Sequence, residues 1–325
     1  MMKFLLPLVL LAPAQEKKVK VVTTLAVLSS VARAVAGDAA EVSALSDPAQ
    51  DPHSVEPRPT LKQAARGADL FVEVGLELDK WAEVVAGESG NPRIQRGQKG
   101  RVVSSRGIRT LELPEALSKE WGDVHPGGNP HVWLDPLNVR TIAQNIFEAL
   151  AAVDEANREA YQKRLRGFLA RLDAALFGED LVKEVGAGRL VSRAQNGTLA
   201  SYLRDKGLED RVGGWMKRAA PLRGLKVVTY HKSWIYFASR FGIEVRGEVE
   251  EKPGIPPTRG HLQKLAASMK EAGVKVVVVE VFYPVADGEY VARDSGARVV
   301  SVPLDGADYF ALMDTILDRL LEAAR

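Results

Sequence analysis

The chain has 325 residues, 46% hydrophobic and 26% charged, with a net charge of +2 and no cysteine. This length suits two ordinary domains, and this composition is that of a folded globular protein rather than a disordered one. The balanced charge, without a basic block or an acidic tail, argues against binding to nucleic acid or an anionic membrane, and the missing cysteines exclude a disulfide scaffold.

The first residues read MMKFLLPLVLLAPAQEKK. One lysine precedes an apolar stretch from Phe4 to Leu11, and Ala12-Pro13-Ala14 offers a small-x-small cleavage site. The segment 1–14 is therefore expected to be a secretory signal peptide. It is too short to span a bilayer, and no later stretch approaches ~20 uninterrupted apolar residues. A lipid anchor would need a cysteine at the cleavage site, so a free periplasmic protein is expected.

After the signal, VKVVTT (19–24) is a β-branched run and predicts a strand. Leu25 to Ala36 has helical spacing and stops at Gly37. EVSALS (41–46) predicts the next strand, and a loop stiffened by Pro48, Pro52, Pro57 and Pro59 follows. Thr60 is expected to cap a helix to about Arg66, before a further strand in ADLFVEVG (68–75). This alternation predicts a parallel sheet with helices on both faces.

Residues 87–110 are rich in Gly, Ser and Arg and predict a loop. Asn138 to Val153 is amphipathic, and 155–177 keeps apolar residues at helical spacing (Tyr161, Leu165, Phe168, Leu169, Leu172, Leu176). A helix of that length, more than ~30 Å at about 1.5 Å per residue, suggests a strut between two lobes. The second half repeats the first: strand 225–230, helix 233–242, strand 243–249, helix 261–273, strand 274–281, strand 297–304 and a closing helix from Tyr309 to Ala324. The fold class is thus α/β, two lobes of parallel sheet flanked by helices and joined by one long helix. The expected divisions are 15–153 for the first lobe, 154–178 for the connector and 179–325 for the second lobe.

Three of the five histidines share a context. His53 (DPAQDPHSVEP), His131 (GGNPHVWLDP) and His231 (KVVTYHKSW) each lie in a loop or at a strand end, where open α/β sheets bind ligands. Three imidazoles suit Zn²⁺ better than Mg²⁺ or Ca²⁺. Asp51 and Asp135 flank these loops and could orient the rings, though an Asx-turn serves Asp135 at least as well. His125, six residues before His131, could be an auxiliary metal-catching residue but is expected to be a solvated loop residue, and His261 a surface one. Trp133, Trp234, Tyr236 and Phe237 should shield the site and pack between the lobes. Pro253, Pro256 and Pro257 should stiffen a linker.

DPHSVEPRPTLKQAARGADLFVEVG, GNPHVWLDPLNVRTIAQNI and YHKSWIYFASRFGIEV resemble the three ligand segments of the periplasmic substrate-binding proteins of zinc and manganese ABC transporters, the TroA-like metal-binding family. The resemblance covers essentially the whole mature chain. It implies a metal held between the lobes by His53, His131 and His231, and delivery of that metal to a membrane permease. It also implies a carboxylate ligand near the C-terminus. There VVSVPLDGADYF places Val302 or Pro303 at the aligned position, so Asp305 and Glu280 compete for the fourth place with water. The His- and acid-rich loop of zinc-importing relatives has no counterpart in GESGNPRIQRGQKGRVVSSRG, and 178–222 is longer than the usual spacing before the third histidine.

The expectation is a monomeric, non-enzymatic binding protein for Zn²⁺, with Mn²⁺ as second choice, carried as transported ligand. A secreted zinc hydrolase with Glu280 as general base is the alternative, against which stands the lack of any HExxH or compact His-x-His cluster. A protein with a merely structural metal is the third reading.

Overall fold

The computed structural model describes residues 17–114 and 125–325; the expected signal segment 1–14 lies outside them. Among the described residues eight strands form two four-stranded parallel sheets. The first contains β1 (Val19–Thr23), β2 (Ala40–Ala44), β3 (Leu70–Glu73) and β4 (Arg101–Val103) in the order β2-β1-β3-β4. The second contains β5 (Lys226–Thr229), β6 (Glu244–Glu248), β7 (Val276–Glu280) and β8 (Arg298–Val302) in the order β6-β5-β7-β8. The two halves thus share one topology, and in each the strand order reverses beside the first strand, the position where open sheets hold ligands.

Burial along the strands follows from these positions. The central strands β3 (LFVE) and β7 (VVVVE) are buried at every residue, as expected for strands covered on both faces. The edge strands β2 and β6 alternate with solvent. The outer face of the first sheet packs under α2 (Pro59–Arg66) and α3 (Trp81–Glu88), with Phe71, Trp81, Val85 and Ile94 in a small core. Its counterpart lies under α11 (Arg259–Ala272) and α12 (Val285–Ala292), around Val277, Val279, Leu262 and Met269. A third, larger core runs through both lobes, joining Val21 and Leu28 to Phe237, Val278 and Ile316. That continuity makes the lobes one packed body.

Two helices carry the chain between the halves. α4 (Pro136–Val153) begins on the Asp135 cap, whose side chain accepts from the Leu137 N–H. After a 3-10 turn at Glu155–Asn157, α5 (Arg158–Phe177) packs on α1 (Ala26–Ala36) and on α9 (Gly214–Arg218). Its 20 residues correspond to ~30 Å of helix. It stops at Gly178, whose φ of +89° and whose close approach to Gly213 both exclude a side chain. Three helices follow, α6 (Glu179–Val185), α7 (Ala187–Gln195) and α8 (Leu199–Lys206).

The structure departs from the sequence expectations at several points. Thr60 lies inside α2, and the non-helical residue before it is Arg58, since Pro59 at the first helical position needs no donor. The stretch 87–110 is not all loop: β4 completes the first sheet there, too short at three residues to show a period. α3 and α12 are further elements that the sequence pattern does not announce. The closing helix, α13 (Tyr309–Ala323), matches, and Asp308 caps it by accepting from Phe310 and Ala311.

Candidate metal centre

His53, His131 and His231 converge between the lobes, and one donor atom from each lies within 4.8 Å of the other two. Ring centres are 5.1 Å apart for His53 and His131, 5.0 Å for His53 and His231, and 5.6 Å for His131 and His231. His131 is fully buried and His231 nearly so.

Each ring is held by a hydrogen bond at Nδ1. His53 lies two residues after Asp51, whose Oδ1 accepts from both the His53 backbone N–H and the ring Nδ1, each at 2.9 Å. His131 repeats the device: Asn129 Oδ1 accepts from its backbone N–H and its Nδ1, each at 3.0 Å. The orientation of the Asn129 amide follows from its other contacts, because its Nδ2 donates to Glu112 Oε2 (2.8 Å) and to the Lys232 carbonyl (2.5 Å). DPH and NPH are thus one local structure, an Asx residue, a proline and a histidine locked by one oxygen. His231 is held by Glu250 Oε2 at 2.7 Å. With Nδ1–H donating in all three, the Nε2 lone pairs are left for a ligand. The Nε2 atoms of His53 and His131 are buried with no hydrogen-bond partner among the described residues.

The electrostatics favour neutral rings. Burial, reinforced by the neighbouring imidazoles of His53 and His231, holds His131 well below the usual histidine range. Its folded pKa is depressed, so the metal-free protein keeps this share of its stability above about pH 6.5 and loses it as pH falls below that value. Burial raises Asp51, but its hydrogen bond and attraction to His53 win and leave it below the normal carboxylate range.

The two carboxylate candidates sit outside the three-histidine group. Asp305 receives backbone N–H groups of Ala26 (2.9 Å), Val27 (2.6 Å) and Gly306 (2.8 Å). It caps α1 from 279 residues away, supplying what Leu25 at the N-cap position lacks, and so ties the second lobe to the first. Glu280 ends β7, buried; its Oε1 accepts from Trp234 Nε1 at 3.0 Å and its Oε2 has no partner among the described residues. Burial pushes its carboxyl up to about 8, so at neutral pH it is mostly protonated.

Asp135 does not orient a ring. It caps α4 and forms a two-pronged pair with Arg240 across the lobes, at 2.9 and 2.7 Å. Trp133 packs 5.5 Å from His131 and donates to the Leu304 carbonyl, and Tyr236 donates to the Asn129 carbonyl at 2.7 Å. These aromatics therefore do line the lobe boundary. His125 is not a solvated residue: its ring centre lies 5.4 Å from that of His53, and neither ring nitrogen has a partner among the described residues. Burial and the nearby His53 push it down to about 3. His261 donates or accepts at the Glu248 carbonyl, 2.9 Å away, outside the site.

Sequence reasoning missed Asn129 and Glu250. The first was visible as the second Asx-Pro-His triplet. The second was not, because strand pairing creates it: β5 and β6 are in register at Thr229 and Glu248, so two residues further on His231 and Glu250 stand side by side. Glu250→Ala is expected to weaken zinc binding by ~10–100-fold while the fold is kept. Competition against a chelator of known affinity measures this, and an unchanged affinity would remove Glu250 from the site.

Two like-wound lobes, a helical connector and three nitrogens converging between the lobes make the frame of a metal-binding protein. The family model described as zinc-uptake complex component A, periplasmic, matches residues 21–176 and 207–323, and the chain belongs to that family. The stretch between the matched parts, 177–206, holds α6, α7 and α8. The chain is 24% identical over 324 residues to the iron ABC transporter substrate-binding lipoprotein MtsA of Streptococcus pyogenes serotype M1, covering 95% of this chain and 90% of that protein. The crystal structure of ZnuA shares the fold, with a TM-score of 0.71 at 22% identity over 95% of this chain and 100% of that one. The substrate-binding protein FpvC of Pseudomonas aeruginosa, in complex with Mn²⁺, is similar at 26% identity and a TM-score of 0.70, over 95% and 99% of the two chains. The chain is accordingly a substrate-binding protein of the metal ABC-transporter class and not an enzyme, and the hydrolase reading has no support.

Proposed function

We propose that this protein captures a single divalent transition metal, Zn²⁺ first and Mn²⁺ second, through His53, His131 and His231, and hands it to an ABC permease from the periplasm. One observation carries the reading: three Nδ1-anchored imidazoles present their remaining nitrogens to one point between the lobes. Nitrogen donors favour Zn²⁺, whereas Mn²⁺ prefers more oxygen. The names of the similar proteins span zinc, iron and manganese, so the donor set is what argues for zinc.

The interlobe pairs Asp135–Arg240 and Asp305–α1, together with the shared core, support release by local rearrangement around the loops rather than by a wide hinge.

Isothermal titration of the metal-stripped chain tests the proposal. About one Zn²⁺ per chain is expected, with tighter binding than Mn²⁺. Protons compete for the same lone pairs, so affinity should fall as pH is lowered. Binding no tighter than that of the variant with all three histidines replaced by alanine would end this reading.

A further inference from the structure

Three histidines leave one corner of a tetrahedral zinc site open. Asp305 is engaged by three backbone N–H groups, and Glu280 accepts from Trp234 at Oε1 while its Oε2 has no partner among the described residues. His125 offers two ring nitrogens, both buried and without a well-formed hydrogen bond among the described residues, the Leu76 backbone being its nearest polar neighbour. Its ring centre stands 5.4 Å from that of His53, close to the 5.1 and 5.0 Å that separate His53 from the other two rings.

The backbone ties His125 to the same structure that positions His131. Gly128 N–H donates to the His125 carbonyl at 3.0 Å, closing a turn. Gly128 has a φ of +94°, and a Cβ there would meet Thr110 at 2.7 Å, so the turn is pressed against residues 110–111. Asn129 follows directly, its N–H on the Leu111 carbonyl at 2.8 Å and its side chain on His131. His125 is thus the other end of the turn that orients a ligand. It stands outside the group of donors within 4.8 Å of one another, so ligation would require a shift of its ring.

We propose that His125 swings onto the bound ion as a fourth nitrogen donor, closing the shell and making the site discriminate for nitrogen-preferring ions such as Zn²⁺ over Mn²⁺. This rests on the three-histidine reading above and deepens it. A shell of four imidazoles has no oxygen donor, which disfavours Mn²⁺, and has no open position for a reactive water.

X-ray absorption at the zinc edge of the zinc-loaded full chain tests it. Four imidazole nitrogens are expected in the native protein, and three with one oxygen in His125→Ala. The same variant should bind zinc ~10-fold or more weakly with Mn²⁺ affinity unchanged, so that the preference for zinc narrows. His125→Gln controls for loss of packing and should behave like the alanine variant. An identical zinc shell in native and His125→Ala protein overturns the proposal. His53→Ala separates the two ideas: if it abolishes zinc binding while His125→Ala changes nothing, the fourth donor is wrong and the three-histidine site stands. If neither matters, both are wrong.

Discussion

His131→Ala is expected to lower zinc affinity by far more than the ~10–100-fold that follows loss of a ligand's hydrogen-bond partner. His131 is the most enclosed of the three rings, fully buried against Trp133 and fixed by Asn129 at backbone and side chain. Its Nε2 is buried and has no hydrogen-bond partner among the described residues. Removing it leaves two anchored nitrogens and a void. Two measurements separate ligation from folding. Chelator competition reads the affinity, and denaturant unfolding of the metal-free variant reads the stability. A variant that folds normally and binds zinc within tenfold of native would show that His131 is not a ligand.

The second large effect concerns the lobes. Arg240→Ala should cost about 3 kcal/mol of unfolding free energy, because it strips a mostly buried Asp135 of its partner across the lobe boundary. The lower end of the usual range applies, since Asp135 keeps the Leu137 N–H as an acceptor contact. Arg240 also donates to the Ala194 carbonyl of α7 at 3.3 Å, so the helices between the family-matched segments brace the same pair. Urea unfolding with an unchanged slope measures the loss. A change below about 0.5 kcal/mol, the size of an ordinary surface substitution, would mean the pair is not an interlobe tie. Metal affinity should fall less than in His131→Ala, because no donor is removed.

Much of this was legible before any coordinates. Continuous β-branched runs such as VKVVTT and VKVVVVEV mark central parallel strands because both faces are buried, and that pattern is local. The turn-rich loops around His53 and His131 are equally local, since one Asx side chain two residues upstream fixes backbone and ring together. The three histidines could therefore be named from their neighbourhoods. β4 and α3 could not, being too short or too weakly patterned to stand out from a loop.

The residues that only the tertiary structure decided are those whose partners lie far along the chain. Asp305 was a candidate ligand by position, yet it sits under α1 because that helix starts without a cap of its own. Glu280 faces Trp234, and Glu250 meets His231 only because β5 and β6 pair in one register. His125, expected as a solvated loop residue, becomes a neighbour of His53 through the turn at Gly128. Sequence determined which side chains can bind a metal, because donor chemistry and short-range turns belong to single segments. Folding decided which of them meet, because strand register and the closing of two lobes on each other are properties of the whole chain.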